Sequence, residues 1–179
     1  MIDFDYVWKL ALRDTDISQH ILYLYAQAVT MDAKVVVEVG SGQSSFVFTA
    51  AMNKTGGQFY SHDFSIDATL RFFPEGEGVL EKEKRFHFVP GDGCMSAKKW
   101  DQPIDLFFLD SSHEYTETFG ELEAWSGFVK DDGLILMHDI HPSWVACRDA
   151  MLDFCRIHEY DHVDMLNQNG LSVLRRKHD

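Results

Sequence analysis

The clearest structural signal in the chain is Val35-Val36-Val37-Glu38-Val39-Gly40-Ser41-Gly42-Gln43-Ser44-Ser45. Its β-branched residues are typical of a strand that is covered on both faces of a sheet. The two glycines that follow permit a positive φ and allow a ligand to approach the backbone closely. The helix expected next would direct its free N–H groups at that ligand, so this segment predicts a strand leading into a cofactor-binding loop. An ordinary strand-to-helix turn is the alternative, because the third glycine of the dinucleotide-binding fingerprint is missing.

The composition limits the class of protein. The chain has 179 residues, 45% of them hydrophobic, and a formal net charge of -13. We expect a single domain over residues 1–179, with a helical segment at 1–33 packed on its sheet. The negative charge argues against nucleic acid and anionic membranes as partners. The acidic N-terminus and the lack of a long apolar run predict a cytoplasmic protein, and the widely spaced Cys94, Cys147 and Cys155 predict free thiols.

Helical and strand patterns alternate along the chain. Helices are predicted over 17–29, 44–52, 117–129 and 143–158, and strands over 35–39, 58–63, 85–90, 104–110, 134–137, 162–166 and 171–174. Turns are predicted at Asp132-Gly133 and at 167–170, the second of which joins a hairpin. The pattern predicts an α/β fold that is doubly wound and Rossmann-like. Its mostly parallel, seven-stranded sheet would carry helices on both faces and a C-terminal antiparallel hairpin.

Polar residues with possible chemical roles follow the predicted strands. In a parallel sheet, ligands bind beyond the carboxyl ends of the strands. Those ends carry the segments 40–45, 91–93, 110–113 and 138–141, together with Asp63. The sequence therefore predicts one functional edge of the sheet.

The order and spacing of these segments resemble a known family. The residues that carry the resemblance are Glu38-Val39-Gly40-Ser41-Gly42, Asp63, Gly91-Asp92, Asp110-Ser111-Ser112-His113-Glu114-Tyr115 and Gly133-Leu134-Ile135-Leu136-Met137-His138-Asp139. From about Ile17 onward the chain is similar to the class I S-adenosylmethionine-dependent methyltransferases. Its second half is similar to their metal-dependent small-molecule O-methyltransferase branch. The resemblance implies methyl transfer from S-adenosylmethionine to a hydroxyl of a small-molecule acceptor.

The resemblance also implies which residues bind the cofactor. They are Glu38, Gly40, Ser41, Gly42, Ser45, Asp63, Gly91, Asp92, Gly93 and Asp110. The turn from Gly40 to Gly42 would hold the methionine moiety, Asp63 the ribose hydroxyls, and Asp92 would reach the adenine. A carboxylate at the end of the second strand can accept two hydrogen bonds from a ribose diol. A helix N-cap is the alternative role for Asp63, and a plain turn residue is the alternative for Asp92.

A divalent cation such as Mg²⁺ or Mn²⁺ is implied at Asp110, His138 and Asp139. His138 departs from the usual pattern of the family, because imidazole is a poor ligand for magnesium and suits manganese, iron or zinc better. In the alternative, His138 packs on the sheet and Asp139 caps the next helix.

His113 stands where the family places a general base, three residues after Asp110. A histidine can accept the proton of an acceptor hydroxyl at neutral pH. The alternative is a loop histidine bonded to Asp110 or Glu114. Aromatic residues that could form the acceptor pocket are Phe64, Tyr115, Trp144 and the segment Leu70-Arg71-Phe72-Phe73-Pro74.

Other functions stay open at this point. One is a hydroxylase-like member of the same branch, and another is an inactive cofactor-binding module or partner subunit. Gln43 in the glycine loop and His138 in the metal site favour the second. The sequence leaves the oligomeric state open, with a homodimer as one option.

Overall fold

The computed structural model describes residues 1–66 and 78–177. Its strands form one seven-stranded sheet in the order β3-β2-β1-β4-β5-β7-β6. They are β1 (Val35–Val39), β2 (Gln58–Asp63), β3 (Phe86–Pro90), β4 (Ile104–Leu109), β5 (Val129–His138), β6 (Tyr160–Met165) and β7 (Leu171–Arg176). The first five are parallel, whereas β7 is antiparallel to both β5 and β6. The predicted fold class is confirmed.

Helices cover both faces of this sheet. They are α1 (Phe4–Ala11), α2 (Ile21–Thr30), α3 (Gln43–Thr55), α4 (Gly93–Ala97), α5 (Tyr115–Ser126) and α6 (Val145–His158), with a 3-10 helix at Leu80–Lys82. The first three pack in one apolar cluster and the last three in another. In the part of the chain that the structure describes, no helix is long and apolar enough to cross a membrane.

The central strand β1 shows why its valines form a buried strand. Val36 packs in the cluster on one face, and Val37 and Val39 pack in the cluster on the other. All three are at most 2% exposed. Successive strand residues point to opposite faces, so a strand covered by helices on both sides needs apolar residues at every position.

Several local predictions differ from the structure. Asp132-Gly133 is not a turn but part of β5, where the pairing with β4 shifts from Ile104 opposite Val129 to Leu106 opposite Leu134. The helix predicted from residue 17 begins at Ile21, and α1 and α4 were not predicted at all. Cys94, Cys147 and Cys155 are free thiols, as expected.

Candidate active site

A cavity of about 540 Å³ lies at the carboxyl ends of the central strands. Most of the predicted cofactor residues line it: Gly40, Ser41, Asp63, Gly91, Asp92, Gly93 and Asp110. Glu38, Gly42 and Ser45 are not among its lining residues. Parallel-sheet geometry accounts for this convergence, because the residues that follow neighbouring strands meet at the same edge.

The turn after β1 depends on one of its glycines. Gly40 has a φ of +93°, and a Cβ there would lie 1.8 Å from the carbonyl oxygen of Asp110. Glycine is therefore required at position 40 for two reasons, the left-handed conformation of the backbone and the close contact with the end of β4. Gly42 is different, since its φ of -166° is extended backbone that any residue adopts. Of the two glycines, Gly40 therefore adopts the positive φ that glycine permits, and Gly42 does not.

Asp63 holds this turn from the neighbouring strand. Its Oδ2 accepts a hydrogen bond of 2.8 Å from the backbone N–H of Ser41. The N–H of Gly40 donates to the carbonyl oxygen of His62 at 3.0 Å. Asp63 is only partly buried and lines the cavity. Its carboxylate therefore holds the glycine turn and also borders the cavity.

Glu38 lies beneath the turn and is fully buried. Its carboxyl group accepts hydrogen bonds from three serine hydroxyls, those of Ser44, Ser45 and Ser61, the last two at 2.6 Å. Burial raises the pKa of Glu38 to about 8. The three hydrogen bonds act in the opposite direction and lower the pKa, but burial is the larger effect. The Oγ of Ser61 is also 2.7 Å from that of Ser41, so Glu38 supports the turn from below.

The segment after β3 forms another wall of the cavity. Asp92 is the N-cap of α4 and accepts a hydrogen bond of 2.8 Å from the N–H of Met95. Asp92 is thus a helix N-cap rather than the plain turn residue considered from the sequence, and it also lines the cavity.

A cluster of two histidines and two aspartates borders the cavity. The Nδ1 of His138 lies 3.4 Å from Oδ1 of Asp110 and 3.4 Å from Oδ1 of Asp139. The Nε2 of His113 lies 2.7 Å from Oδ2 of Asp139. His113 therefore contacts Asp139 rather than the Asp110 or Glu114 considered from the sequence. Asp110 belongs to both the cavity and the cluster.

The charges of this cluster shift the pKa values of two of its members, His138 and Asp139. Burial by itself would lower the pKa of His138, but Asp110 and Asp139 outweigh it and raise that pKa to about 10. Burial opposes the ionisation of Asp139, yet His138 and His113 hold its pKa below the usual value. Asp139 also has a φ of +58°, a strained conformation for a residue other than glycine that is common at functional sites.

The aromatic candidates occupy different places. Trp144 packs against the His113 ring, with centroids 4.5 Å apart, and Phe64 lines the cavity. Tyr115 instead donates a hydrogen bond of 2.9 Å to Asp153 of α6. The segment from Leu70 to Pro74 lies outside the described residues.

The sequence analysis did not identify Glu121, which lines the cavity from α5. The residue is only 8% exposed, and its carboxylate accepts a hydrogen bond from the hydroxyl of Ser111. The sequence did carry a signal that Glu121 is buried. The residue lies one helical turn before the fully buried Trp125 and so falls on the buried face of the helix.

Comparison with known families assigns the fold. Residues 37–140, more than half of the chain, match the family described as a methyltransferase domain. The chain belongs to this family. The expected resemblance to the class I S-adenosylmethionine-dependent methyltransferases is thereby confirmed.

Solved structures of methyltransferases share the fold. A methyltransferase from Podospora anserina bound to S-adenosylhomocysteine is 16% identical, with a TM-score of 0.70 over 96% of this chain and 86% of that one. An O-methyltransferase from Bacillus cereus, in complex with S-adenosylhomocysteine, is 11% identical, with a TM-score of 0.70 over 97% and 87%. An O-methyltransferase of tomaymycin synthesis from Streptomyces achromogenes, in complex with S-adenosylmethionine, is 11% identical, with a TM-score of 0.70 over 99% and 97%. No curated protein matches the chain.

Proposed function

We propose that this methyltransferase-family protein transfers a methyl group from S-adenosylmethionine to a hydroxyl oxygen of a small molecule. The observation that carries the proposal is the position of Asp110, which lines the cavity and also belongs to the cluster of His138 and Asp139. A methyl donor bound in the cavity and an acceptor bound beside His113 would then meet at the same edge of the sheet.

The cavity suits the proposed cofactor in size and charge. Its volume of about 540 Å³ lies within the usual range for small-molecule sites. Asp63 presents a carboxylate that can accept hydrogen bonds from a ribose diol. Asp63, Asp92, Asp110, Glu117 and Glu121 also make the lining acidic. An acidic lining attracts the sulfonium and ammonium groups of S-adenosylmethionine.

His113 and Asp139 supply the proton transfer in this proposal. The cofactor provides a methyl group on a sulfonium, and the protein must hold the acceptor in line and remove its proton. A carboxylate can only accept a hydrogen bond, so Nε2 of His113 donates to Asp139 and Nδ1 is the basic nitrogen. Asp139 orients the ring and stabilises the imidazolium formed when Nδ1 takes the hydroxyl proton.

The donor set of Asp110, His138 and Asp139 fits a divalent cation. Their ligand atoms all lie within 4.8 Å of one another, and Oδ1 of Asp139 is buried with no hydrogen-bond partner among the described residues. Two carboxylates and an imidazole favour manganese, iron or zinc over magnesium. Such an ion, when bound, would lower the pKa of a hydroxyl that coordinates it. We further infer a cytoplasmic location from the three free thiols.

Methyl-transfer assays test this function. The protein is incubated with S-adenosylmethionine carrying a labelled methyl group and with a panel of phenols and aliphatic alcohols. We expect label to appear on at least one hydroxyl compound with the wild type and to be strongly reduced with His113→Ala. Tight binding of S-adenosylhomocysteine without transfer to any compound would instead favour a cofactor-binding module.

A further inference from the structure

Glu121 is a buried carboxylate on the floor of the cofactor cavity. It belongs to α5, is 8% exposed, and lines the cavity together with Gly93, Cys94 and Ser111. Its Oε2 accepts the hydroxyl hydrogen bond of Ser111, the residue that follows Asp110. One oxygen of the carboxylate is therefore held by the edge of the sheet.

The other oxygen lies against the turn after β3. A Cβ on Gly93 would lie 2.7 Å from Oε1 of Glu121 and 2.6 Å from Cγ1 of Val39, so the carboxylate packs directly on the Gly93 backbone. The indole N–H of Trp125, one turn further along α5, donates to the carbonyl oxygen of Gly93 at 3.1 Å. Helix α5 thus fixes both the turn and the carboxylate beside it.

Oε1 has no hydrogen-bond donor within residues 1–66 and 78–177, and no salt bridge in that part of the chain neutralises Glu121. The charged groups that act on it are acidic: Asp92, Glu117 and Asp63. Burial, followed by these charges, raises the pKa of Glu121 to about 7. Oε1 is not one of the fully buried unpaired oxygens, since Glu121 lines the cavity, so it is open to a hydrogen-bond donor of a ligand bound there.

The position of Glu121 relative to the catalytic cluster indicates which part of the cofactor would meet it. This step rests on the proposed function. The sulfonium must face the cluster that contains Asp110 and His113, and the ribose is assigned to Asp63. The purine base then occupies the remaining part of the cavity, which is formed by the turn 91–93, Cys94 and Glu121.

Adenine carries one exocyclic donor, its 6-amino group, whereas its ring nitrogens N1, N3 and N7 are acceptors that a carboxylate repels. The geometry points to Glu121 as the acceptor of a hydrogen bond from the 6-amino group of the cofactor's adenine. Glu121 is in this account a specificity-determining residue that selects a 6-aminopurine. Asp92 is the competing acceptor, but it is exposed, so a hydrogen bond to it competes with water, whereas Glu121 is only 8% exposed.

Calorimetric titrations at pH 8, where Glu121 is mostly ionised, test this assignment. The probes are S-adenosylhomocysteine and its 6-deamino analogue, in which hydrogen replaces the amino group. For wild type we expect about 10-fold to 100-fold weaker binding of the analogue, the range for a hydrogen bond to a charged group. For Glu121→Ala, the two probes should bind within about 2-fold of each other, because contacting groups give non-additive effects.

A matched control is Glu123→Ala, which removes an exposed acidic residue of the same helix outside the cavity lining and should keep the wild-type preference. If Glu121→Ala does not fold, Glu121→Gln decides, since its neutral amide should discriminate less than the carboxylate. Equal wild-type binding of both probes, or an undiminished preference in the Glu121 variants, overturns the assignment and leaves the proposed function standing. Failure of wild type to bind either probe overturns both.

Discussion

A Cβ on Gly40 would lie 1.8 Å from the carbonyl oxygen of Asp110. The turn after β1 is thus packed directly on the backbone at the end of β4. This contact joins the wall of the cavity to the cluster of histidines and aspartates, so a substitution at Gly40 should also disturb the cluster.

We expect Gly40→Ala to lower the free energy of unfolding by at least about 2 kcal/mol, because the methyl group meets backbone in a conformation unfavourable to alanine. Gly42→Ala is the matched control, since its nearest contact would be the Ser44 hydroxyl at 3.9 Å, and it should cost less than about 1 kcal/mol. Denaturant unfolding measures both. Equal losses in the two variants would contradict the contact with Asp110.

His113→Ala should reduce the rate of methyl transfer by about 100-fold to 10,000-fold, the usual contribution of a positioned base. Binding of S-adenosylhomocysteine should be nearly unchanged, because the His113 ring packs on Trp144 and is absent from the cavity lining. Added imidazole should restore part of the rate, since His113 is half exposed. His141→Ala is the control on the same edge of the sheet. Near-normal turnover without His113 would show that it is only a loop residue.

Manganese or zinc should bind the wild-type protein more tightly than magnesium does, because one of the three ligands is an imidazole. Titration calorimetry and metal analysis of the purified protein measure this. Asp139→Ala should abolish tight binding, whereas Asp149→Ala, on an exposed position of α6, should not. Magnesium binding as tight as that of manganese would refute the assigned ligand set.

Glu38→Gln should change how stability depends on pH. In the unfolded chain Glu38 ionises near its ordinary pKa of 4.5, but in the folded protein it stays protonated up to about pH 8. Between these values the unfolded state binds fewer protons, so the contribution of Glu38 to stability falls as pH rises. The variant should therefore gain stability relative to wild type from pH 4.5 to about 8. Glu81→Gln, at an exposed position, should show no such trend.

The sequence predicts the sheet well where strand and turn signals agree. The valines of β1 end at Gly40, and β2 is predicted with its observed bounds from Gln58 to Asp63. Prediction fails where tertiary pairing overrides a local signal. Asp132-Gly133 has the composition of a turn, but β5 continues through it. The pairing of β5 with β4 is irregular there.

The candidate site was predictable to the extent that its residues follow strands. Asp63, Asp110 and Asp139 meet at one edge because parallel strands end there. Glu121 was not predicted, because it comes from the middle of a helix and its place depends on how α5 packs against Gly93. The hydrogen bonds from three serines to Glu38 were not predicted either, because one of these serines, Ser61, comes from another strand.

The central claim is that the cavity binds S-adenosylmethionine, and calorimetric titration with S-adenosylhomocysteine tests it most directly. We expect one site per chain in the wild type and a loss of about 1.5 to 3 kcal/mol of binding free energy in Asp63→Ala, the range for hydrogen bonds to a charged group. Circular dichroism should show that the variant is folded. Absence of binding in the wild type, or wild-type affinity in a folded Asp63→Ala, would contradict the account.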